Sequence, residues 1–384
     1  MQNNKVCAAK ETKGFVGRLL WMDLWLLAAV IVLLFCGVWF NLSIAEILGN
    51  WRYGDPLYFA THQLAHAVIG VVSMCLAACY GRAALAAIKE PRQLWNALMY
   101  AWVLLIAVLF MPAVCGVNIS IDLVFFKFRP AVFAGLILLV FVGYQLARDK
   151  RPGMLSPLST IAAVVVTLAL IIMESYLALP LLLGLVILLM YRKAGLQLKC
   201  VAALVAAMGV MFMTAICSSP YRLARLFGML FPADYPATYG YDNMIARKLF
   251  AEAGFWGGVS ADELKRLPDA NMDYALAAFT AVHGYVMFFV VTVLLASVVV
   301  RGIRIAKAAS TQFEALLAWG IVGMLGGQTF LHIIKCLGFV GYNSLGLPFI
   351  GYGGSDLIVA CIMIGVLLGI SAGQKQECCG LYNP

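Results

Sequence analysis

Long apolar runs recur along almost the whole chain, and their residues are continuously hydrophobic instead of alternating with polar ones. A helix needs about 20 mostly apolar residues to cross a bilayer, so each run predicts a membrane span. Continuous runs are typical of helices, because a transmembrane β-strand alternates apolar and polar positions. The runs lie near residues 19–41, 63–81, 96–117, 130–147, 157–173, 177–191, 199–217, 274–300, 312–339 and 355–372. The pattern therefore predicts an all-α polytopic membrane protein with about ten transmembrane helices.

Lys and Arg are concentrated in alternate loops between these runs. The basic groups are Lys5, Lys10, Lys13 and Arg18; Arg82, Lys89 and Arg92; Arg148, Lys150 and Arg151; Arg192, Lys193 and Lys199; and Arg301, Arg304 and Lys307. The intervening short loops hold only Arg52, Lys127 and Arg129. Because cytoplasmic loops are enriched in Lys and Arg, the alternation predicts an even number of spans and two cytoplasmic termini. Residues 1–18 and 373–384 are then expected to be cytoplasmic tails.

Composition supports this interpretation and excludes others. Hydrophobic residues make up 64% and charged residues 12% of the chain, which is about half the charged share of a soluble domain. The net charge of +9 follows the alternation of the loops, so it indicates orientation in a bilayer and no nucleic-acid partner. The eleven cysteines show no metal-ligand spacing, and those within the runs are interpreted as small hydrophobic residues.

Two segments interrupt the hydrophobic pattern, and both lie on the predicted outer side. Residues 218–273 form one long loop between the seventh and eighth predicted helices and are rich in charged and aromatic residues. This aromatic content argues against disorder, so we expect an ordered extracytoplasmic cap with short amphipathic helices. Residues 341–355 are glycine-rich and uncharged, which predicts irregular backbone packed against the helices. We expect one transmembrane domain over 1–384, with its chemistry in these two segments.

Motifs in these segments resemble those of the SEDS family, the shape, elongation, division and sporulation proteins typified by RodA and FtsW. LGLPFIGYGGSDLI, at 345–358, is similar to the family signature LPFISYGGSS. In the segment 259–284, the family's Ser, Leu-Pro-Glu and Asp are matched without a gap by Ser260, Leu267, Pro268, Asp269 and Asp273. Weaker matches at 58–70, 125–135, 173–179 and 232–246 complete the set in chain order. The resemblance covers nearly the whole chain and implies a divergent bacterial inner-membrane protein.

The sequence departs from the family pattern at several site positions. Ala281 and Val282 replace a pair of Glu, Asp262 and Glu263 replace Gln-Lys, Asp242 replaces Gln, and Gly351 replaces a Ser. Near the other motifs, Asp356 replaces Ser, Glu174 replaces Asp, His62 replaces Arg, and Arg129, Ala131, Val132 and Gly135 replace Gln, Ser, Glu and Lys. These departures concern the active-site network and leave the fold unaffected.

The resemblance implies that Asp273 is the catalytic residue of a glycosyltransferase that polymerises lipid II into glycan. In that reaction a carboxylate base accepts the proton of a sugar 4-hydroxyl while undecaprenyl diphosphate leaves, and one inverting displacement is sufficient. An ionisable group at a helix end near lipid is also a functional candidate from its position alone. The alternative from the residues themselves is that Asp273 caps the helix that follows it.

Further residues are candidates for substrate binding. The leaving diphosphate needs cations, and the outer loop offers Arg222, Arg225, Arg247, Lys248, Lys265 and Arg266. A divalent metal, Mg²⁺ or Mn²⁺, is a further candidate that the sequence does not specify. The alternative for these cations is contact with anionic lipid headgroups or solvent.

Four more residues are secondary candidates. Asp242 and Asp269 are expected to bind cations or to order the loop through turns and caps. His332 and Lys335 lie about one turn apart on one predicted helix. They are expected to line a polar groove near the substrate headgroup, or else to be buried and paired within the protein.

Two other functions stay open: a flippase for the lipid-linked precursor, and a non-catalytic scaffold suggested by the lost family residues. A transporter needs a polar path through the midplane, whereas the dense polar cluster here lies on the outer side. The resemblance also implies a partner, a single-span class B penicillin-binding protein that cross-links the product. Small residues of the eighth and ninth spans, such as Ala277 and Gly323, are expected either to dock that partner or to pack the chain's own bundle.

Overall fold

The computed structural model describes residues 21–111, 121–122, 127–148, 158–174, 177–231, 234, 240–267, 269–337 and 345–378. Its helices are α1 (Leu24–Ile44), α2 (Asn50–Tyr53), α3 (Tyr58–Ala86), α4 (Pro91–Leu109), α5 (Pro130–Arg148), α6 (Leu158–Met173), α7 (Ala178–Lys193), α8 (Leu198–Cys217), α9 (Pro220–Leu230), α10 (Tyr241–Ala251), α11 (Ala261–Lys265), α12 (Ala275–Ala308), α13 (Gln312–Cys336) and α14 (Gly354–Cys378). A π-helical turn, Ala45–Gly49, joins α1 to α2. Two short strands, β1 (Ile121–Asp122) and β2 (Lys127–Phe128), pair antiparallel.

The described part of the chain is almost entirely helical, which confirms the predicted all-α polytopic fold. Within it, eight helices are long and apolar enough to cross a membrane, namely α1, α3, α4, α5, α8, α12, α13 and α14. The 16-residue helices α6 and α7 fall on the two remaining predicted runs, so the count of ten spans stays a prediction.

The ends of the chain are only partly described. Three expectations fall outside the described residues. They concern the tail at 1–18, the end of the third run at 112–117, and residues 379–384. α14 continues to Cys378, so the part of the expected C-terminal tail from 373 to 378 is helical. The long segment 218–273 contains the three short helices α9, α10 and α11.

Several helices begin at residues that favour a helix start. Asp23 Oδ1 accepts a hydrogen bond from Leu26 N at 3.1 Å before α1, and Thr311 Oγ1 accepts one from Glu314 N at 3.2 Å before α13. Pro91 occupies the start of α4, where its missing N–H costs nothing. Each side-chain cap satisfies an amide that the first turn of a helix leaves unpaired.

α14 lies at the packed centre of the bundle, and glycines allow α3 to approach it closely. A Cβ at Gly70 of α3 would lie 2.9 Å from Cys361 Sγ, and one at Gly365 of α14 would lie 2.7 Å from Ala77 Cβ. In a bilayer, van der Waals packing of this kind is a main attraction between helices, and small residues make it possible. The span window of α14 is accordingly 83% buried.

α12 is interrupted at Gly284, whose φ is 82°. The interrupted backbone pairs with the loop that precedes α11: Tyr285 N donates to Gly254 O at 3.0 Å, and Val286 N donates to Phe255 O at 3.3 Å. A side chain at residue 284 would collide with the backbone of Phe255, so the left-handed conformation and the close approach both require glycine. This contact fixes the loop between α10 and α11 against α12, and the candidate catalytic residue lies just before this helix.

Candidate active site

Asp273 lies in a tight turn, residues 269–274, that leads into α12. The backbone oxygen of Asp269 accepts hydrogen bonds from Met272 N at 3.0 Å and Tyr274 N at 3.3 Å, and Asp269 has a φ of 50°. Tyr274 occupies the N-cap position of α12, and its side chain makes no capping hydrogen bond. Asp273 directly precedes this position, so its capping role stays an alternative prediction.

The glycine-rich segment before α14 lies directly against this turn. Tyr352 N donates to Asn271 O at 2.7 Å, which joins the two segments by a backbone hydrogen bond. Phe349 has a φ of 67°, which is uncommon for a bulky residue and marks a constrained backbone. Amide side chains hold the segment from the other side: Asn41 Nδ2 on α1 lies 3.4 Å from Ile350 O, and Gln63 Nε2 on α3 lies 3.4 Å from Gly351 O.

The end of α13 supplies the predicted pair His332 and Lys335 to the same place. His332 Nε2 lies 2.6 Å from Leu345 O, and the Lys335 ammonium lies 3.8 Å from the ring centre of Tyr274. Both side chains are buried, with 1% and 3% of their surface exposed. Asp273 is within electrostatic range of His332. The structure thus brings three of the predicted site residues together, namely Asp273, His332 and Lys335.

An ion pair beside Asp273 escaped the sequence analysis. Arg129 Nη1 donates to Asp356 Oδ2 at 3.1 Å, and Arg129 N donates to Ser355 Oγ at 2.9 Å. Asp356 is within electrostatic range of Asp273. Both positions are departures from the family pattern. Their opposite charges were the signal from which an ion pair could have been predicted.

Three of the remaining predicted cations, Arg222, Lys248 and Lys265, lie on α9, α10 and α11 and contact other groups of the chain. Arg222 donates to two backbone oxygens, Ala215 O at 3.1 Å and Ile172 O at 2.9 Å. Lys248 forms ion pairs with Glu263 at 2.8 Å and Glu252 at 3.9 Å, and Lys265 pairs with Asp262 at 3.0 Å. The hydrogen bond to Glu263 and the nearby carboxylates raise the pKa of Lys248. Their part in substrate binding stays a prediction.

The other predicted site residues lie at the surface or in the first turn of a helix. Arg247, Arg266 and Asp269 are exposed, and Asp242 lies in the first turn of α10, where a carboxylate suits the positive end of the helix dipole. The side chain of Arg225 and residue Pro268 fall outside the described part of the chain. Within that part, no group of three His, Cys, Asp or Glu residues is placed to hold a metal ion.

Glu174 is a buried carboxyl group at the end of α6. Its side chain is 1% exposed, and neither carboxyl oxygen has a hydrogen-bond partner among the described residues. Burial raises the pKa of Glu174 from 4.5 to about 8. A neutral, protonated form therefore prevails near neutral pH, because burial penalises the charged form.

Comparison with known proteins adds a family and a reaction class to this geometry. Residues 24–376 match the model of the FtsW, RodA and SpoVE family, described as cell cycle proteins. A probable peptidoglycan glycosyltransferase FtsW of Trichlorobacter lovleyi is 28% identical over 376 residues, which cover 93% of this chain and 95% of the relative. The protein of the same name from Geobacter metallireducens is 26% identical over 365 residues, which cover 92% and 95%.

Solved structures agree with the fold. One match is a chain from a study of the structural coordination of polymerization and crosslinking by a peptidoglycan synthase complex. It superposes on this chain with a TM-score of 0.72 at 20% identity, and the match covers 92% of this chain and 98% of that one. The rod shape determining protein RodA of Thermus thermophilus superposes with a TM-score of 0.64 at 18% identity, covering 91% and 96%. The resemblance expected from the motifs is confirmed: this chain belongs to the FtsW, RodA and SpoVE family of cell cycle proteins.

Proposed function

We propose that this chain is a peptidoglycan glycosyltransferase that polymerises lipid II into glycan strands at the outer face of the cytoplasmic membrane. The observation that carries the proposal is the placement of Asp273. It lies at the N-terminal end of α12, against the signature segment and beside the end of α13 that holds the buried Lys335. Family membership and the names of the relatives support the reaction class.

In the proposed reaction, Asp273 acts as the general base. It accepts the proton of the acceptor sugar's 4-hydroxyl as that oxygen bonds to the anomeric carbon of the donor. The bond from this carbon to the diphosphate breaks in the same displacement, so an α-linked donor gives a β-linked product and polyprenyl diphosphate leaves. Positioned cations stabilise the charge on a leaving diphosphate, and Lys335, whose ammonium lies 3.8 Å from the ring centre of Tyr274, is a candidate for this part.

Polymerisation of labelled lipid II by the purified full chain tests the proposal, with Asp273→Asn as the decisive variant. Loss of a general base lowers the rate by about 10²–10⁴-fold, whereas Asn keeps the size of the side chain. Asp55→Asn is the matched control, because Asp55 is exposed and its Oδ1 accepts a local hydrogen bond from Leu57 N at 2.9 Å that Asn can also accept. Near-normal polymerisation by Asp273→Asn would remove Asp273 as the base. A wild-type chain that is inactive alone and with its partner would favour the scaffold.

A divalent cation is a separate part of the proposal. Mg²⁺ is commonly held by one or two carboxylates together with substrate phosphates, and the described residues provide no group of three protein ligands. We therefore assign no step to the metal. Polymerisation measured with a chelator, and then with Mg²⁺ or Mn²⁺ restored, decides whether the reaction requires one.

The proposed orientation places both termini in the cytoplasm and the segment 218–273 outside. It is supported by the alternation of Lys and Arg between loops. Reporter fusions after residues 85, 195 and 305 should read cytoplasmic, and a fusion near residue 245 should read external. An external signal at any of the first three positions would contradict the ten-span topology.

The proposed partner is a class B penicillin-binding protein. Support comes from the similar chain of a synthase complex that coordinates polymerization and crosslinking. The contacts of the small residues support the second of their two alternatives, packing within the chain: Ala277 is fully buried, and a Cβ at Gly323 would lie 3.0 Å from Val186 of α7. These residues pack the chain's own bundle. Co-purification, with a higher polymerisation rate in the complex, tests the partner itself.

A further inference from the structure

Two large aromatic side chains are exposed in the loop between α10 and α11. Phe255 is 76% exposed and Trp256 is 80% exposed, and residues 253–261 carry no charge. Three glycines with positive φ flank the two aromatics, namely Gly254, Gly257 and Gly258. Glycine adopts such a conformation without strain. The loop therefore presents an uncharged aromatic pair, Phe255 and Trp256, on a tightly turned backbone.

Hydrogen bonds hold this loop at one level of α12. Its backbone is bonded to the N–H groups of Tyr285 and Val286, which follow the interruption of the helix. Val259 N also donates to Ala281 O at 3.4 Å. The hydroxyl of Tyr285 donates to Phe250 O, at the end of α10, at 2.6 Å. The depth of the aromatic pair in a bilayer is therefore set by the depth of Tyr285.

The other end of α12 gives that depth. Arg301 on this helix pairs with Asp23 at 3.5 Å, and Asp23 directly precedes α1. Because charge is costly inside a bilayer, these two groups mark one boundary of the hydrocarbon layer. Residues 274–300 contain no charged residue. Tyr285 lies 16 residues before Arg301, which is about 24 Å of helix, and the hydrocarbon layer is about 30 Å thick. Tyr285 therefore lies at or just inside the opposite boundary, and a tilt of α12 would place it deeper.

α1 gives the same depth independently. Trp39 of this helix lies 16 residues after Asp23, which is again about 24 Å. The ring centre of Trp39 is 4.1 Å from that of His283, directly before the interruption of α12 at Gly284. Two helices that start from the same boundary thus place the attachment of the loop at the same level.

We propose that the aromatic pair inserts into the lipid at this second boundary and anchors the loop between α10 and α11 in the headgroup region of the bilayer. Tryptophan is enriched at membrane–water interfaces, because its ring is apolar while its N–H needs a polar partner. Irregular backbone is tolerated near this depth where its polar groups are paired, and the hydrogen bonds to α12 supply part of this pairing.

Lipid is favoured over a protein partner, because the two helices set the depth of the loop without any second chain. Under the proposed orientation, the aromatic pair lies in the outer leaflet. The inference goes beyond the proposed reaction and does not rest on it.

Tryptophan fluorescence of the full chain in lipid nanodiscs, where both faces meet the solvent, tests the anchor without a partner protein. The chain has eight tryptophans, so the signal of Trp256 is the difference between the wild type and Trp256→Phe. This substitution should leave the fold intact, because it changes an exposed side chain. Trp25→Phe supplies the reference, since Trp25 is 56% exposed in the first turn of α1, at the boundary that Asp23 marks.

Lipids brominated in their acyl chains should quench the Trp256 signal about as strongly as the Trp25 signal, and aqueous iodide should quench neither strongly. Phe255→Ser removes half of the aromatic pair and should increase the quenching of Trp256 by iodide. Phe227→Ser is the matched control, because Phe227 is 43% exposed on α9, and it should leave that quenching unchanged.

A Trp256 signal that iodide quenches and brominated lipid does not would overturn the anchor. If addition of a class B penicillin-binding protein then shielded Trp256 from iodide, the aromatic pair would be a protein-docking surface instead. Equal iodide quenching in Phe255→Ser and the wild type would contradict a part for Phe255. Polymerisation does not enter this measurement, so its result is independent of the proposed function.

Discussion

α14 and α8 are almost equally apolar, but α14 is mostly buried within the chain and α8 is mostly not. The span windows have mean hydropathies of 2.2 over Gly354–Lys375 and 2.3 over Leu198–Cys217, yet 83% of the first and 6% of the second are buried. Hydropathy places both helices in a bilayer, where the lipid is as apolar as a leucine side chain and does not drive helices together. The difference shows that hydropathy alone does not decide which helix is buried within the chain.

The two regions also differ in how tightly they pack. Gly365 of α14 faces the backbone of α3, whereas nothing lies within 4 Å of a Cβ at Gly209 of α8. An apolar cavity of about 200 Å³ lies between α6, α7 and α8. It is lined by Gly184, Leu188 and Met208 among others. The signature segment and Asp273 belong to the tightly packed side, where packing holds side chains in the fixed positions that catalysis requires.

The largest expected effect concerns Glu174, at the end of α6 on the loosely packed flank. Because the pKa of Glu174 is raised from 4.5 to about 8, the folded protein retains a proton that the unfolded chain releases. The contribution of protonated Glu174 to the free energy of unfolding is full below about pH 4.5 and is lost as the pH passes about 8. Between these values it declines by at most about 1.4 kcal/mol per pH unit. Glu174→Gln should therefore flatten the dependence of the unfolding temperature on pH.

The unfolding temperatures of both proteins in detergent between pH 5 and pH 8 check this expectation. Glu252→Gln is the control, because the Glu252 side chain is 47% exposed. Parallel curves for wild type and Glu174→Gln would show that water or a partner group satisfies the carboxylate.

The second expected effect concerns the ion pair between Arg82 of α3 and Glu314 of α13. Arg82 Nε donates to Glu314 Oε1 at 2.7 Å, and the side chains are 17% and 8% exposed. Removing one partner of a buried ion pair costs about 3 kcal/mol, because the remaining charge is left without compensation. Arg82→Gln should lower the unfolding temperature strongly, and Glu314→Gln in the same chain should recover part of the loss. Equal losses that add in the double variant would contradict a coupled pair.

The sequence predicted the helices well because the bilayer imposes their length and apolarity. It also predicted that Asp273, His332 and Lys335 belong to the site, from motif spacing and from the cost of burying charge. It could not join Arg129 to Asp356, since that contact bridges 227 positions of the chain and depends on helix packing. The sequence left the choice between docking and packing open for the same reason: a row of small residues does not reveal whether it faces a partner or a neighbouring helix.

The smallest expected effect tests the comparison of α14 with α8 directly. Gly365→Ala would place a methyl group 2.7 Å from Ala77 Cβ and in collision with Met74 O. Forced repacking of this kind costs about 2 kcal/mol. Gly209→Ala makes the same chemical change on a helix of similar hydropathy, where nothing lies within 4 Å, and should stay within about 0.5 kcal/mol of the wild type. Thermal unfolding of the two variants in the same detergent measures the difference. If Gly209→Ala proved as costly as Gly365→Ala, α8 would be packed against a part of the chain or a neighbour, and its exposure would not describe the protein in the membrane. If neither substitution mattered, close approach of α3 and α14 would not be what holds the centre together.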